Sequence, residues 1–412
     1  MKKEVVVTGR GLVTPIGVGL EQNEDALRNG KSGIAFDPEW KEAGLVSNVC
    51  GQVDKNIDCP LLNKKNRRYM SQNALSGTVA AYEAITEAGL TVEDIKKMRV
   101  ALVLGHGGSS QKLTHAAAKS IEENGSTKRI SPFVVPKAMP SSAVANISLV
   151  LGVTGESYAI SSACASGAHA IMVATRLIQS GLYDMVITGG TEEVSWVQAS
   201  GFDAMRAISR AYNDTPEKAS RPFDTGRDGF VIAEGAGILV LESAEHAKAR
   251  NAKAIAKISG TAGNTNTHDM VVPDADASAS VMESSLKDAN LKPSDIDYIN
   301  THGTSTPVGD GVEIDAIKKL FYDKNRDVAI NSTKSLTGHM IGATGAVEII
   351  FCTQMVDKGF ISPTINLDNR EPGTEWANII TKTITDIKVR HALSNSFGFG
   401  GTNSSVIVSA ID

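Results

Sequence analysis

The chain carries two copies of one pattern, and a duplication constrains architecture before any single motif does. "AGLTVEDI" (Ala88 to Ile95) and "ANLKPSDI" (Ala289 to Ile296) each run from a helical pattern into an apolar strand that ends on a His-Gly pair. Those pairs are His106-Gly107 in "VALVLGHGG" and His302-Gly303 in "DYINTHGTS". Further along, "GAHAIMVATRLIQSG" (Gly167 to Gly181) and "GAVEIIFCTQMVDKG" (Gly345 to Gly359) share Gly, Ala, Ile, Thr and Gly at the same places. Both read as buried helices. The units follow in the same order in each half, and β-branched strands alternating with helices predict layered α/β structure. Two similar halves are expected, 1–252 and 253–412, meeting near "ARNAKAIAKISG". No low-complexity linker separates them, so they should share one core.

Of the 412 residues 42% are hydrophobic, enough to fill such a core, and the formal charge of −5 speaks against a nucleic-acid binder. No apolar run is long enough to span a bilayer. Lys2 and Lys3 are followed at once by Glu4, unlike a secretory leader. Cys50, Cys59, Cys164 and Cys352 are too scattered for a disulfide framework and form no Cys-x-x-Cys pair, so a reducing cytoplasm fits best and no metal site is expected. The "GRGLVTPIG" that follows the first strand lacks the third glycine of a dinucleotide-binding turn and reads as a strand-to-loop turn.

The chemistry concentrates around "YAISSACASGAHAIMVAT". Cys164 falls between the end of an apparently buried strand and a helix with Ile171, Ala174, Leu177 and Ile178 as its apolar stripe. A helix start offers unpaired N–H groups that favour a thiolate, and the small residues on either side leave room for a thioester to reach the sulfur. Taken alone, a cysteine is more often a small buried hydrophobe. Its surroundings point to a nucleophile instead. Partners lie in the second half: His302 in "THGTSTPVGD", and Lys334 and His339 in "INSTKSLTGHMIGATGA". By the duplication the second of these loops is the counterpart of the Cys164 loop, so the two should face each other about a pseudo-twofold axis.

"SSACASGAH", "THGTSTPVGD", "STKSLTGHMIGATGA" and "SNSFGFGGTN" resemble the successive active-site motifs of the elongating β-ketoacyl-[acyl-carrier-protein] synthases of the thiolase superfamily. The resemblance covers essentially the whole chain. It implies a duplicated α-β-α-β-α fold and a homodimer in which the strand around "DMVITGG" pairs across the twofold. It implies that Cys164 takes the acyl chain as a thioester, and that His302 and His339 serve malonyl decarboxylation. Lys334 would hold the histidines electrostatically, with Glu348 in support. Backbone N–H groups of Cys164 and Phe399 would form the oxyanion hole, and neither a cofactor nor a metal is implied.

By the same resemblance Thr304 and Thr306 would bind the phosphopantetheine arm. Phe202, Phe230 and Gly108 would shape the acyl pocket, and Phe399 would gate it. The His-His pair separates the chain from initiating synthases, which resemble it but carry asparagine at the second position, and the chain lacks the terminal Cys-x-Gly-Gly-Gly loop of degradative thiolases. "AYNDTPEKASRPFDTGRDGFVIAEGAG" and Gly108 look more like synthase I than synthase II. His106 and Ala233 depart from the family pattern of a small polar residue and a glycine. Degradative thiolases and non-catalytic chain-length-factor-like subunits are the alternatives, the latter generally lacking the cysteine. Finally, Lys64, Lys65, Arg67 and Arg68, with Lys128 and Arg129, form local basic patches on an acidic protein, read either as a solvated face or as a dock for an acidic acyl carrier protein.

Overall fold

The computed structural model describes residues 2–411. One 12-stranded mixed sheet dominates it. Five strands come from the first half: β1 (Val5–Thr14), β2 (Val100–Gly105), β3 (Ser157–Ile160), β4 (Met185–Glu192) and β5 (Gly235–Ser243). Five come from the second: β6 (Ala256–Thr265), β7 (Tyr298–Asn300), β8 (Ala329–Asn331), β9 (His391–Gly398) and β10 (Thr402–Ser409). The spatial order is β3-β2-β4-β5-β1-β6-β10-β9-β7-β8, with Asn378–Ile379 added beyond β8 and Gly17–Val18 beside β1.

This order is the duplication made visible. Each strand of the first half has its equivalent five places on, with the same directions: β2 is parallel to β3 and β4 as β7 is to β8 and β9. Likewise β5 is antiparallel to β4 and β1, as β10 is to β9 and β6. Within the sheet the two halves join where β1 and β6 pair, at Val6–Lys257 and Val7–Ala256.

Eight helices matter to the site: α1 (Gln72–Glu87), α2 (Gln111–Asn124), α3 (Ser142–Leu151), α4 (Ser166–Gln179), α5 (Trp196–Ala204), α6 (Ala275–Ala289), α7 (Gly309–Phe321) and α8 (Thr344–Lys358). Strand periodicity sorts the side chains between layers. In β2, Val100, Leu102 and Leu104 pack outward with residues of α1 and α3, while Ala101 and Val103 face inward. The inward layer holds α4 and α8 between the two half-sheets, with Ile171, Ile178, Val347 and Phe351 in one core. On the far side Ile299, Ile330, Leu393 and Ile407 pack with Ile314, Ile317 and Phe321 of α7 and with Met282 and Leu286 of α6. Three cores separated by two half-sheets make the α-β-α-β-α stack. Cys352 belongs to the central one.

Three local expectations are overturned. β1 continues through Gly9 and Gly11 to Thr14, because a methyl at either glycine would stand about 2 Å from the Ala84 or Ala80 carbonyl (2.0 and 1.9 Å) and the bare backbone lets α1 lie close. "DMVITGG" is β4, already paired on both sides by β2 and β5, so it cannot pair with a second chain. The edge of the sheet on the side of the first half is β3, which is partly exposed rather than buried.

Candidate active site

β3 delivers the chain to a turn that Ser166 ties together, its hydroxyl accepting from Ser162 N at 2.9 Å and donating to Ala163 O at 2.6 Å. Ala163, a residue with a Cβ, is held at φ 48°, a left-handed conformation tolerated only where its surroundings fix it. The second half repeats the device. Ile341 stands four residues before Gly345 as Ala163 stands four before Gly167, and its φ is 43°. The two Gly-Ala pairs pack on each other: a Cβ at Gly167 would lie 2.9 Å from Ala346 N, and one at Gly345 would lie 3.0 Å from Ala168 N. Only glycine at both positions permits this approach, and it brings the two turns face to face.

Between them opens a cavity of about 260 Å³ lined by Cys164, His302, His339, Thr304, Thr306, Phe202, Phe230, Gly108 and Phe399, among others. The Cys164 sulfur and a ring nitrogen of each of His302 and His339 lie within 4.8 Å of one another. The imidazoles meet edge to face, centroids 5.4 Å apart. His339 Nδ1 is 3.0 Å from Thr344 Oγ1, at the first residue of α8, while its buried Nε2 has no partner among the described residues. Behind the rings Lys334 Nζ donates to both Glu348 oxygens at 2.8 Å, and Thr333 Oγ1 donates to the same carboxylate at 2.9 Å.

Burial is the first cause of every shift here. It pushes His302 and His339 well below the usual imidazole range, and the Lys334 ammonium adds to that, so both rings are neutral. It raises the Glu348 carboxyl, against which Lys334 acts. It pushes the Cys164 thiol up to about 12, opposed by the Lys334 charge and then by the Phe399 backbone N–H. The thiolate expected from the helix start is therefore not the resting form. Ala165 is the N-cap of α4, so the cysteine precedes the helix and desolvation outweighs the dipole. A thiol and two neutral imidazoles are also a zinc-type donor set, but the neighbouring ammonium opposes a cation there.

Two buried carboxylates that sequence reasoning missed hold the His-Gly loops. Glu313, on α7, accepts from His302 N at 2.9 Å, Gly303 N at 2.8 Å and Asn395 Nδ2 at 3.1 Å, and burial raises it to about 7. Glu192, ending β4, accepts from Gly107 N at 2.8 Å, Gly108 N at 3.3 Å and Gly342 N at 3.0 Å, and burial raises it too. Asp310 does the same for the threonine loop, accepting from Ser305 N and Thr306 N at 3.0 and 3.3 Å. A usable signal existed for the first and last of these: acids three residues apart at a helix start, flanked by Val312, Ile314 and Ile317.

The remaining expected positions divide. Thr304 and Thr306 hydroxyls are 3.1 Å apart in the cavity wall, and Phe202 packs edge to face on Phe230 with centroids 5.3 Å apart. Phe399 is 37% exposed at the mouth. The missed Phe397 lies beside the His302 ring, at 5.7 Å. Away from the cavity, Lys64, Lys65 and Arg68 are exposed around a short helix capped by Asn63, and Lys128 and Arg129 are exposed on a separate turn. Arg68 lies over Phe133, 5.8 Å from its centroid, and so links the two basic segments. Arg67 is instead engaged by Asp58 at 2.8 Å. His106, where the family pattern differs, is buried, with Nδ1 3.0 Å from Thr191 O.

A duplicated five-layer α/β fold with cysteine and two histidines converging from opposite halves defines a thiolase-like condensing enzyme. The chain belongs to the β-ketoacyl synthase family: residues 2–247 match the Beta-ketoacyl synthase, N-terminal domain, and residues 254–368 the Beta-ketoacyl synthase, C-terminal domain. It is 42% identical to 3-oxoacyl-[acyl-carrier-protein] synthase 1 of Haemophilus influenzae over 98% of each chain. A Beta-ketoacyl synthase crystal structure from Burkholderia phymatum superposes with a TM-score of 0.93 at 33% identity, covering 100% of both chains. A type II PKS ketosynthase in complex with its acyl-carrier protein superposes with a TM-score of 0.91 at 31% identity, also over 100% of both.

Proposed function

We propose that this chain elongates fatty acids by decarboxylative condensation of a malonyl thioester with an acyl chain held on Cys164, both delivered by acyl carrier protein, as a synthase I-type 3-oxoacyl-[acyl-carrier-protein] synthase. The observation that carries the reading is the convergence of one sulfur and two neutral imidazoles within 4.8 Å at the floor of an open cavity.

In the first half-reaction the Cys164 sulfur attacks the acyl thioester and its proton leaves on the carrier thiol, so no net charge is created. In the second, the malonyl carboxylate leaves as carbon dioxide and its electron pair becomes an enolate. Neutral His302 and His339 donate N–H bonds to that oxygen, which is what their lowered pKa values equip them for. This role calls for the His339 tautomer in which the Thr344 hydroxyl, 3.0 Å from Nδ1, donates to that nitrogen and the proton is carried on Nε2. The carbanion then attacks the acyl carbonyl. Backbone N–H groups of Cys164 and Phe399 receive the oxyanion, the cysteine thiolate departs, and it regains a proton from solvent. Lys334 keeps the rings uncharged and offsets the buried thiolate, while Glu348 compensates Lys334. Thr304 and Thr306 bind the carrier arm; Phe202, Phe230 and Gly108 border the acyl chain, with Phe399 at its gate.

We assign the halves to 1–252 and 253–412, on either side of the β5-to-β6 connection. A homodimer is supported by the open edge of β3 and by α2, which buries no residue, with Val135 and Leu149 exposed nearby. Docking of the acidic carrier falls to the exposed Lys64, Lys65, Arg68, Lys128 and Arg129, with Arg67 organising the segment. Four free cysteines fit a cytoplasmic setting, and no helix of the described residues is long and apolar enough to cross a membrane. The test is incubation with acyl carrier proteins charged with chains of graded length, followed by mass spectrometry of the peptides. Acylation at Cys164, with 3-oxoacyl product on adding malonyl carrier, is expected; acylation elsewhere overturns the reading.

A further inference from the structure

The acyl cavity is apolar along most of its wall, with Phe202, Phe230, Ala207 and Ile341. Of the α5 side chains that line it, Gln198 is polar. Gln198 lies on α5 one turn before Phe202, on the same face, and is only 9% exposed. What exposure it has is toward the cavity it lines, and its side-chain amide makes no hydrogen bond to any described residue. The amide opens onto the cavity rather than being sealed in the core, so its donor and acceptor are offered to whatever chain fills that space.

Its surroundings share that polarity. A methyl placed on Gly108 would meet Gln198 Nε2 at 3.1 Å, Glu192 Oε1 at 3.8 Å and Gln111 Nε2 at 3.9 Å. Three polar atoms thus converge on the space beside Gly108, in the same cavity wall as the packed rings of His339, Phe230 and Phe202. Glu192 is already engaged with loop N–H groups. Gln198 is not, and an amide offers both a donor and an acceptor whichever way it is turned.

We infer that Gln198 is a specificity-determining residue that binds an uncharged oxygen, hydroxyl or keto, on the part of the acyl chain remote from the thioester. This rests on the condensing reading above and names its acyl substrate class. A plain hydrocarbon reaching the same place would strip the amide of water and give nothing back, and sites built to bind an oxygen discriminate strongly against analogues that lack it.

The experiment uses the full chain and pairs of acyl carrier thioesters of equal length, one saturated and unsubstituted, the other carrying a hydroxyl or keto oxygen at successive positions. The rate of Cys164 acylation is read by intact mass for the wild type and for Gln198→Leu. Expected is a wild-type preference of about tenfold or more for an oxygenated chain at one position, lost or reversed in Gln198→Leu. Acylation of Cys164 with no oxygen preference in the wild type, or with the same preference in the variant, overturns this inference alone. The wild-type ratio decides even if the variant fails to fold. Failure of every chain to acylate Cys164 overturns the condensing reading, and this inference with it.

Discussion

Lys334 Nζ stands 2.8 Å from both carboxylate oxygens of Glu348, and both side chains are buried. The pair lies directly behind the two imidazoles, and removing one member leaves the other charged and buried. Glu348→Ala is therefore expected to destabilise the chain by roughly 3–5 kcal/mol, whereas Lys334→Met combined with Glu348→Met should recover most of that loss. Condensation should remain lost in the double variant, because its function lies in the charge. Urea unfolding read beside turnover separates the two effects, and a double variant that still condenses at the wild-type rate contradicts the electrostatic role.

Glu313 provides a pH signature. Burial raises its carboxyl from 4.5 to about 7, so between those values the folded chain holds a proton that the unfolded chain has released. The stability it contributes is whole below about pH 4.5 and is lost as pH rises through about 7, a change on the order of 3 kcal/mol. Glu313→Gln cannot titrate. Comparing wild type with variant by denaturant unfolding at about pH 5 and about pH 8 cancels the other groups, and parallel stability changes would rule the assignment out.

The Cys164 thiol, held near 12 by burial, should alkylate slowly at neutral pH. With iodoacetamide the rate is expected to climb about tenfold per pH unit from about pH 7 to about pH 10 without levelling. A plateau reached by about pH 8 would show a resting thiolate instead.

Charge reversal at Lys65 and Arg68 tests the docking surface. Both are exposed and lie outside the cavity, so Lys65→Glu with Arg68→Glu should reduce kcat/KM for carrier-linked substrates tenfold or more and leave a small thioester analogue nearly unaffected. Equal losses on both substrates would place the effect in the fold.

The duplication and the meeting of Cys164 with His302 and His339 were legible because glycines and histidines at matching places leave a repeat that survives divergence. The two copies even keep the unusual φ at Ala163 and Ile341. What stayed hidden depends on three-dimensional neighbours. Whether "DMVITGG" lies at an edge or inside a sheet is not written in its apolar run, since both give the same pattern. Glu192 and Glu313 look like ordinary surface acids until the fold buries them against loop N–H groups. The Cys164 pKa was misjudged for the same reason: a helix start can be read from sequence, but the desolvation that competes with it cannot.

The reciprocal contact of Gly167 with Ala346 and of Gly345 with Ala168 acts as a mechanical gauge. Nucleophile and imidazole ride on separate halves, and the gap between them is set by two missing methyl groups. A mutation as small as one added carbon at either glycine would wedge the halves apart and detune the reaction while leaving every reacting atom in place. Drift at one position is thereby tied to drift at the other, across nearly half the length of the chain.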